Sequence, residues 1–372
     1  MTPVELSRTV LRAVRRAVDA GELSVPVPER AQVGPPGPGG RGDYATNVAL
    51  QLARPAGRPP YEVAEILRPH LFDAAGVTRV DITGPGFLNI SVSGRSQALV
   101  AEILRCGKHG ERGEPYGYAA RPTGELVQLH HPREVRAAVT GQVLARILRS
   151  QGALVRTSCE AEPDPAWAGP LGVTVDAHGS PGSPAPLEIN VRPVPAGQDP
   201  TPLGRDAARW ALLHPAPHDR PRITDEHLVQ RESNPLFRVR YAHARARALT
   251  RNAADLGFAR TSGDADGGGA GAGVGVGDGG VLELEDAGGL VDALDTYPHA
   301  LAAAARHRGP DRLARHLVLT ADALLAFQHT VLPLGGEKPS AAHRARLALA
   351  EAAGTVLAGG LTLLGIDAPE HL

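Results

Sequence analysis

The sequence predicts a multidomain α+β protein built from three parts, and three observations support this fold class. Residues 1–118 alternate between helical and strand-like patterns, residues 122–230 begin with a strand–helix–strand pattern, and residues 231–372 are helical almost throughout. A chain of 372 residues can form two or three cores, because single domains usually contain about 100 to 200 residues. We therefore expect an α+β module, a small α/β domain and an all-α bundle, in that order.

The N-terminal part begins with an amphipathic helix, because Leu6, Val10, Val14 and Val18 recur along one helical face. A loop rich in Gly and Pro follows, and then two helical patterns, at Ala45 to Arg54 and Tyr61 to Leu67. Two strands joined by a Gly-Pro-Gly turn complete this part; their apolar residues are Val77, Val80, Ile82, Leu88, Ile90 and Val92.

The middle part starts with a compact βαβ pattern: strand 125–129, helix Val135 to Ser150, and strand 153–158. Residues 162–202 are rich in Pro and Gly, with two weak strand patterns, VTVDA and LEINV. This stretch is expected to be either a short, poorly packed connector or the remnant of a deleted segment. A helical pattern returns at GRDAARWALL, residues 204–213.

The C-terminal part contains an opening helix from residue 234 and four further helical segments joined by short loops, which predicts an all-α bundle. One stretch interrupts it. Residues 262–280, SGDADGGGAGAGVGVGDGG, have almost no side chains able to bury surface, so we expect a disordered loop there.

Composition excludes several classes of function. The formal net charge is −1, so the whole protein has no polycationic field to attract nucleic acid, and any such partner must meet a local patch. Cys106 and Cys159 are the only thiols and lie in no metal-ligand spacing, so we expect no metal and a reducing, cytoplasmic location. The first helix has no long apolar core and we see no stretch of about 20 apolar residues, so neither secretion nor a membrane is expected.

Residues 234–260 concentrate positive charge. They carry six arginines against Asp255 alone, a local excess of +5. On a helical wheel Arg238 and Arg245 flank an apolar stripe, while Arg240, His243 and Arg247 point to the opposite side. Such a density suits phosphate binding, since guanidinium groups displace condensed counterions. The alternative is a solvated helix face whose arginine stems cover apolar surface.

Several stretches resemble the arginyl-tRNA synthetase family. NPLF followed by YAHAR (241–245), with the C-terminal RLALAEAAGTVLAGGLTLLGIDAPEHL, resembles the family's DALR-type anticodon-binding domain. GDYATNVALQLA (42–53) and GPGFLN (84–89) resemble its N-terminal additional domain. RAAVTGQVLARIL (136–148) and GRDAARWALL resemble the helices after its HxGH and KMSKS motifs. The matches occur in family order.

The chain departs from the family's pattern where the chemistry would occur. HHPRE stands where HxGH is expected; if His131 takes the first position, Arg133 and Glu134 replace the glycine and the second histidine. A glutamate there would repel a polyphosphate. Most of the catalytic core between Thr157 and Leu203 is missing, and no KMSKS-like string occurs. The resemblance therefore implies no catalytic residue and no cofactor, with His131 and Arg136 as degenerate remnants.

The resemblance also implies RNA-binding positions. Phe87 and Asn89 match residues that stack on and hydrogen-bond a D-loop base, although Phe87 can also be a core aromatic. Tyr241, His243 and Arg245 match the opening helix of the anticodon-binding domain, and Arg238, Arg240 and Arg247 could add phosphate contacts.

Three functional hypotheses remain open. The first is a noncatalytic, monomeric relative of arginyl-tRNA synthetase that binds tRNA, with tRNA-Arg favoured, through the D-loop and anticodon arm without activating arginine. The second is an arginine–tRNA ligase with residual or partner-assisted activity. The third is a protein-interaction module that has lost RNA binding.

Overall fold

The computed structural model describes residues 3–34, 36–37, 42–92, 94–108, 114–180, 182, 187–260 and 287–372. Backbone contacts divide the chain into two compact units, Met1–Leu99 and Val100–Leu372. We treat each unit by itself. The predicted disordered loop, residues 262–280, lies outside the described residues.

The first unit is an α+β module whose helices pack on an antiparallel sheet. Its helices are α1 (Pro3–Asp19), α2 (Val48–Ala56) and α3 (Pro60–Phe72), and α4 (Arg95–Lys108) begins at its end. Its strands are β1 (Val33–Gly34), β2 (Tyr44–Thr46), β3 (Val77–Thr83) and β4 (Phe87–Val92), in the sheet order β1-β2-β4-β3. The two predicted strands with their Gly-Pro-Gly turn are confirmed as β3 and β4.

One element of this unit differs from the sequence-based prediction. Residues 45 and 46, predicted to begin a helix, belong to strand β2, and the helix starts only at Val48. The cause is pairing across the sheet, because Thr46 lies opposite Leu88 of β4. The core between sheet and helices includes Leu6, Val10 and Val14, as the apolar stripe of α1 predicts.

The second unit opens with a parallel sheet. Its strands are β5 (Leu126–His131), β6 (Leu154–Cys159), β7 (Ala177–His178) and β8 (Leu187–Asn190), in the order β7-β6-β5-β8. Helix α5 (Val135–Ser150) connects β5 to β6, as the sequence predicts. The weak pattern LEINV forms β8, whereas VTVDA contributes only the last residue, Ala177, to the short β7. Helix α6 (Pro165–Leu171) lies between β6 and β7, and α7 (Gly204–Leu213) follows β8.

The remainder of the second unit is an all-α bundle. Its helices are α8 (Pro235–Asp255), α9 (Gly288–Arg306), α10 (Pro310–Phe327) and α11 (Ala341–Leu364). Helix α8 packs against α10 and α11, and α9 packs against α10. Within the described residues α11 is long and apolar enough to span a bilayer, but 67% of its apolar window is buried inside the protein, as in a bundle's core helix.

Candidate functional site

The end of strand β5 is the place where a parallel sheet of this kind would hold a ligand, because ligands bind outside the carboxyl ends of the strands. His130 and His131 end β5, and Ser158 and Cys159 end the neighbouring β6. The His130 Nδ1 lies 2.8 Å from the Ser158 Oγ, and the Gln128 amide donates to the same oxygen at 2.9 Å. These three side chains are therefore hydrogen-bonded to one another across the two strands.

His131 is enclosed in the core. Its side chain is 1% exposed, and Nδ1 lies 3.0 Å from the Pro132 carbonyl oxygen, to which it can donate. Nε2 is buried without a hydrogen-bond partner, and burial lowers the pKa of the imidazole. The ring packs against helix α5, since a Cβ added to Gly141 would lie 2.9 Å from its Cδ2. His131 is thus a buried imidazole whose neutral form is favoured.

Glu134 occupies the start of helix α5. Its Oε2 accepts a hydrogen bond from the Ala137 backbone N–H at 2.7 Å, and its Oε1 accepts one from Ala196 N–H at 3.0 Å. A helix N-terminus binds phosphate well, because its free N–H groups and the helix dipole favour negative charge. Here the protein's own carboxylate takes that position, and the connector closes over it through Ala196.

Arg136 binds residues 212–219, at and after the end of α7, and one residue of the connector, Val194. Its guanidinium is 1% exposed and donates only to backbone carbonyl oxygens, at distances of 2.7 to 3.1 Å. The five acceptors are Val194, Leu212, Pro215, Ala216 and Asp219. Burial lowers the pKa of Arg136, and the carbonyl dipoles replace the water that a charged guanidinium would otherwise bind. Arg136 therefore has a structural use that its position in the motif did not reveal.

Two pockets of the described residues lie away from residues 130–136. The larger, about 940 Å³, lies in the first unit between α1, the segment 29–37 and β2, with Phe87 in its wall. The second, about 330 Å³, lies in the second unit between the start of α7, the segment 227–230 and the start of α8. No group of three or more potential metal ligands occurs among the described residues.

The two residues predicted to bind the D-loop, Phe87 and Asn89, differ in their exposure to solvent. Phe87 is 40% exposed at the start of β4 and lines the larger pocket. Asn89 is 2% exposed, and its amide donates to the Thr83 Oγ1 at 2.7 Å. Only Phe87 is accessible to an unstacked base, because the Asn89 amide is buried and hydrogen-bonded within the sheet.

Three arginines of helix α8, and Arg260 beyond its end, are paired with carboxylates from distant parts of the sequence. Arg238 contacts Asp322 at 3.0 Å, Arg240 contacts Asp206 at 3.6 Å, Arg247 contacts Glu370 at 3.0 Å and Arg260 contacts Glu351 at 2.7 Å. Four of the six arginines in residues 234–260 thus have an acidic partner. The local excess of +5 counted along the sequence is largely offset in three dimensions.

The remaining predicted residues of α8 also differ in accessibility. Tyr241 is 39% exposed and stacks on Phe237, with ring centroids 5.6 Å apart. The Arg245 Nε donates to Gln328 Oε1 at 2.6 Å. The prediction that His243 faces away from the apolar stripe is wrong: it is 5% exposed, and Nδ1 lies 2.8 Å from the Pro369 carbonyl oxygen. The C-terminal segment covers it, and this burial lowers the pKa of His243.

Two family models match the chain in the order of its parts. Residues 5–92 match the "Arginyl tRNA synthetase N terminal domain" and residues 239–372 match the "DALR anticodon binding domain". The chain belongs to the arginyl-tRNA synthetase family. The expected resemblance and the mixed architecture, with an α+β module, a parallel-sheet remnant and a helical DALR region, are confirmed.

Three similar proteins illustrate the relationship. The arginine–tRNA ligase of Renibacterium salmoninarum is 26% identical in an alignment of 568 residues that covers all of both chains. That of Frankia alni is 42% identical over 163 residues, which cover 41% of this chain and 28% of the relative. The arginyl-tRNA synthetase structure from Thermus thermophilus superimposes with a TM-score of 0.55 at 16% identity, covering all of both chains.

The length of this family member is its main departure. The alignment with the Renibacterium relative needs 568 positions, whereas the chain has 372 residues. The N-terminal and DALR matches are retained, and the sequence between them is short. The chain is thus an arginyl-tRNA synthetase relative that lacks most of the catalytic domain.

Proposed function

We propose that the protein is a noncatalytic member of the arginyl-tRNA synthetase family. It binds tRNA through its N-terminal domain and its C-terminal DALR domain, without activating arginine. The observation that carries the proposal is the Glu134 carboxylate on the N-terminus of α5, where it accepts hydrogen bonds from Ala137 and Ala196. An α-phosphate could approach that helix end only by displacing a fixed negative charge.

The chemistry of amino-acid activation supports the same proposal. Charge develops on the α-phosphate as the adenylate forms, and enzymes stabilise it with preorganised cations and N–H donors. In this chain Arg136 is committed to five carbonyl oxygens, His131 is enclosed, and lysine occurs only at positions 108 and 338. Arg136 and His131 are therefore not free to meet a nucleotide beside β5.

The tRNA part of the proposal rests on the two matched domains, since one is described as anticodon-binding and the relatives are arginine–tRNA ligases. By that relationship we propose tRNA-Arg as the partner. Phe87, exposed beside the larger pocket, would stack on a D-loop base, and Tyr241 with the arginines of α8 would approach the anticodon arm. We also propose a monomeric, cytoplasmic protein with domains at 1–118, 122–230 and 231–372.

Replacing Arg238, Arg240 and Arg247 together by Ala tests the contact with the anticodon arm. We expect tRNA affinity to fall about tenfold at low salt, because each arginine that meets a phosphate releases a counterion. The slope of log affinity against log salt should flatten by about one for each such arginine. Fluorescence anisotropy with labelled tRNA-Arg between 50 and 200 mM salt, roughly the range in which such contacts weaken, measures both quantities.

A second variant, which removes acidic partners of the α8 arginines, should change tRNA affinity in the opposite direction. The double variant Asp322→Asn with Glu370→Gln removes the carboxylates that compete for Arg238 and Arg247, and both acids are at least 43% exposed, so the fold should persist. This variant should bind tRNA more tightly than the wild type. Unchanged affinity in both the triple and the double variant would leave the α8 arginines without a role in RNA binding.

The same ion pairs favour one alternative, a protein-interaction module that no longer binds RNA, because paired arginines offer less charge to a phosphate backbone. Absence of tRNA binding at low salt would support this alternative over our proposal.

A further inference from the structure

Three arginines in the second unit form a cluster that the proposed function does not use. Arg146 lies on α5, and Arg205 and Arg209 lie one turn apart on α7. Arg209 is completely buried, Arg146 is half-buried and Arg205 is exposed. The cluster therefore extends from the surface into the interior.

The three side chains converge on the ends of two helices. A Cβ added to Gly365, at the end of α11, would collide with the Arg146 Nη1 and lie 2.6 Å from the Arg209 Nη2, so both guanidinium groups flank the same point. A Cβ added to Gly172, at the end of α6, would lie 3.5 Å from the Arg205 Nε. Arg209 joins these two ends, donating to the carbonyls of Leu171 and Leu364 at 2.9 Å each.

Several guanidinium N–H groups of the cluster have no hydrogen-bond acceptor. The Nη1 of Arg209 also donates to Gln142 Oε1 at 3.0 Å, but its Nη2 is buried with no hydrogen-bond partner. Arg146 and Arg205 have neither a hydrogen bond nor an ion pair with any residue that the structure describes. A buried guanidinium nitrogen without an acceptor is costly, and it indicates a position where a ligand atom would be bound favourably.

Charge in the cluster is poorly balanced as well. The three guanidinium groups carry three positive charges. The two helix C-termini beside them contribute roughly half a negative charge each, and Gln142 is neutral. The nearby Asp206 carboxylate lies 3.6 Å from Arg240 and also accepts the Asp367 N–H at 3.2 Å. Burial, followed by repulsion from Arg146 and Arg205, lowers the pKa of Arg209 to about 9.

We propose that Arg146, Arg205 and Arg209 form a binding site for a phosphate group. The tetrahedral oxygens of a phosphate group can accept hydrogen bonds from several guanidinium groups at once, whereas a carboxylate has only two oxygens in one plane. The phosphate contacts Arg205 and Arg146 at the surface, and the unpartnered Nη2 of Arg209 lies behind Arg146 in the same cluster. The site goes beyond the proposed function and does not depend on tRNA binding, because free phosphate and a phosphodiester offer the same chemistry.

The experiment compares the full chain with the double variant Arg146→Met, Arg205→Met in two arms. In the first, the melting temperature is measured in inorganic phosphate and in sodium chloride of equal ionic strength. Wild type should gain ~2 to 4 °C in phosphate relative to chloride, and the double variant should lose this gain. In the second arm, tRNA affinity is measured for the same proteins.

The control is Arg156→Met, an exposed arginine on β6 away from the cluster, which should retain the wild-type response in both arms. Should the double variant fail to fold, the single variant Arg205→Met, an exposed position, serves in its place. Loss of the phosphate response alone assigns the site to free phosphate, and a loss of tRNA affinity assigns it to an RNA backbone phosphate. Wild-type behaviour of the variants in both arms would overturn the proposal.

Discussion

Replacing Arg136 by Met is expected to lower the free energy of unfolding of the second unit by about 4 kcal/mol or more. The guanidinium is 1% exposed and donates to five carbonyl oxygens of residues 194–219. A methionine removes every donor and leaves buried carbonyl groups unpaired, and each unpaired group costs about 1 to 3 kcal/mol unless water replaces the donor.

The two tryptophans make this prediction measurable. Trp167 and Trp210 both lie in the second unit, so urea unfolding followed by tryptophan fluorescence monitors that unit. The matched control is Arg133→Met, whose side chain is 49% exposed and which should change stability by less than about 1 kcal/mol. Equal stability of the two variants would show that Arg136 does not hold Val194 and residues 212–219 against α5.

Replacing Gly365 by Ala is expected to destabilise the same unit by about 3 kcal/mol. Gly365 ends helix α11 with a φ of +72°, a left-handed conformation that costs an L-residue about 1 to 2 kcal/mol. The new methyl group would also overlap Arg146 and lie 2.6 Å from the Arg209 Nη2. Because Arg209 is buried and hydrogen-bonded to two helix ends, it cannot move away freely.

Gly257 separates these two effects. It lies in the same unit with a φ of +75°, but a Cβ there would meet nothing within 4 Å. Gly257→Ala should therefore cost only the backbone strain, about 1 to 2 kcal/mol. The comparison is made by urea unfolding of both variants, and a Gly365→Ala variant no less stable than Gly257→Ala would argue against the close packing of Arg146 and Arg209.

Local patterns in the sequence were enough to predict much of the fold. Helix α5 forms over Val135–Ser150 as expected, and the alternating apolar residues of β3 and β4 with the intervening Gly-Pro-Gly turn predict that hairpin. Such elements depend on residues close in the chain. Strand β2 was missed because its three residues are extended by pairing with β4, more than 40 positions later.

The candidate site was less predictable, since its chemistry depends on contacts between distant residues. Charge counting in residues 234–260 could not include Asp206, Asp322 or Glu370, which neutralise arginines of α8 from other elements. The helical wheel placed His243 on the open side because the C-terminal segment that covers it is 126 positions away. Glu134 was recognised as unfavourable for a polyphosphate, but its use as the cap of α5 and the contact with Ala196 required the fold.

We propose that the helix end beside β5 is closed to nucleotides, and arginine-dependent exchange of labelled pyrophosphate into ATP measures whether it is. The purified full chain should be measured with and without tRNA-Arg, next to a full-length arginine–tRNA ligase and a mock preparation. We expect exchange no greater than in the mock preparation under either condition. Sustained exchange that requires arginine and copurifies with the chain would contradict it.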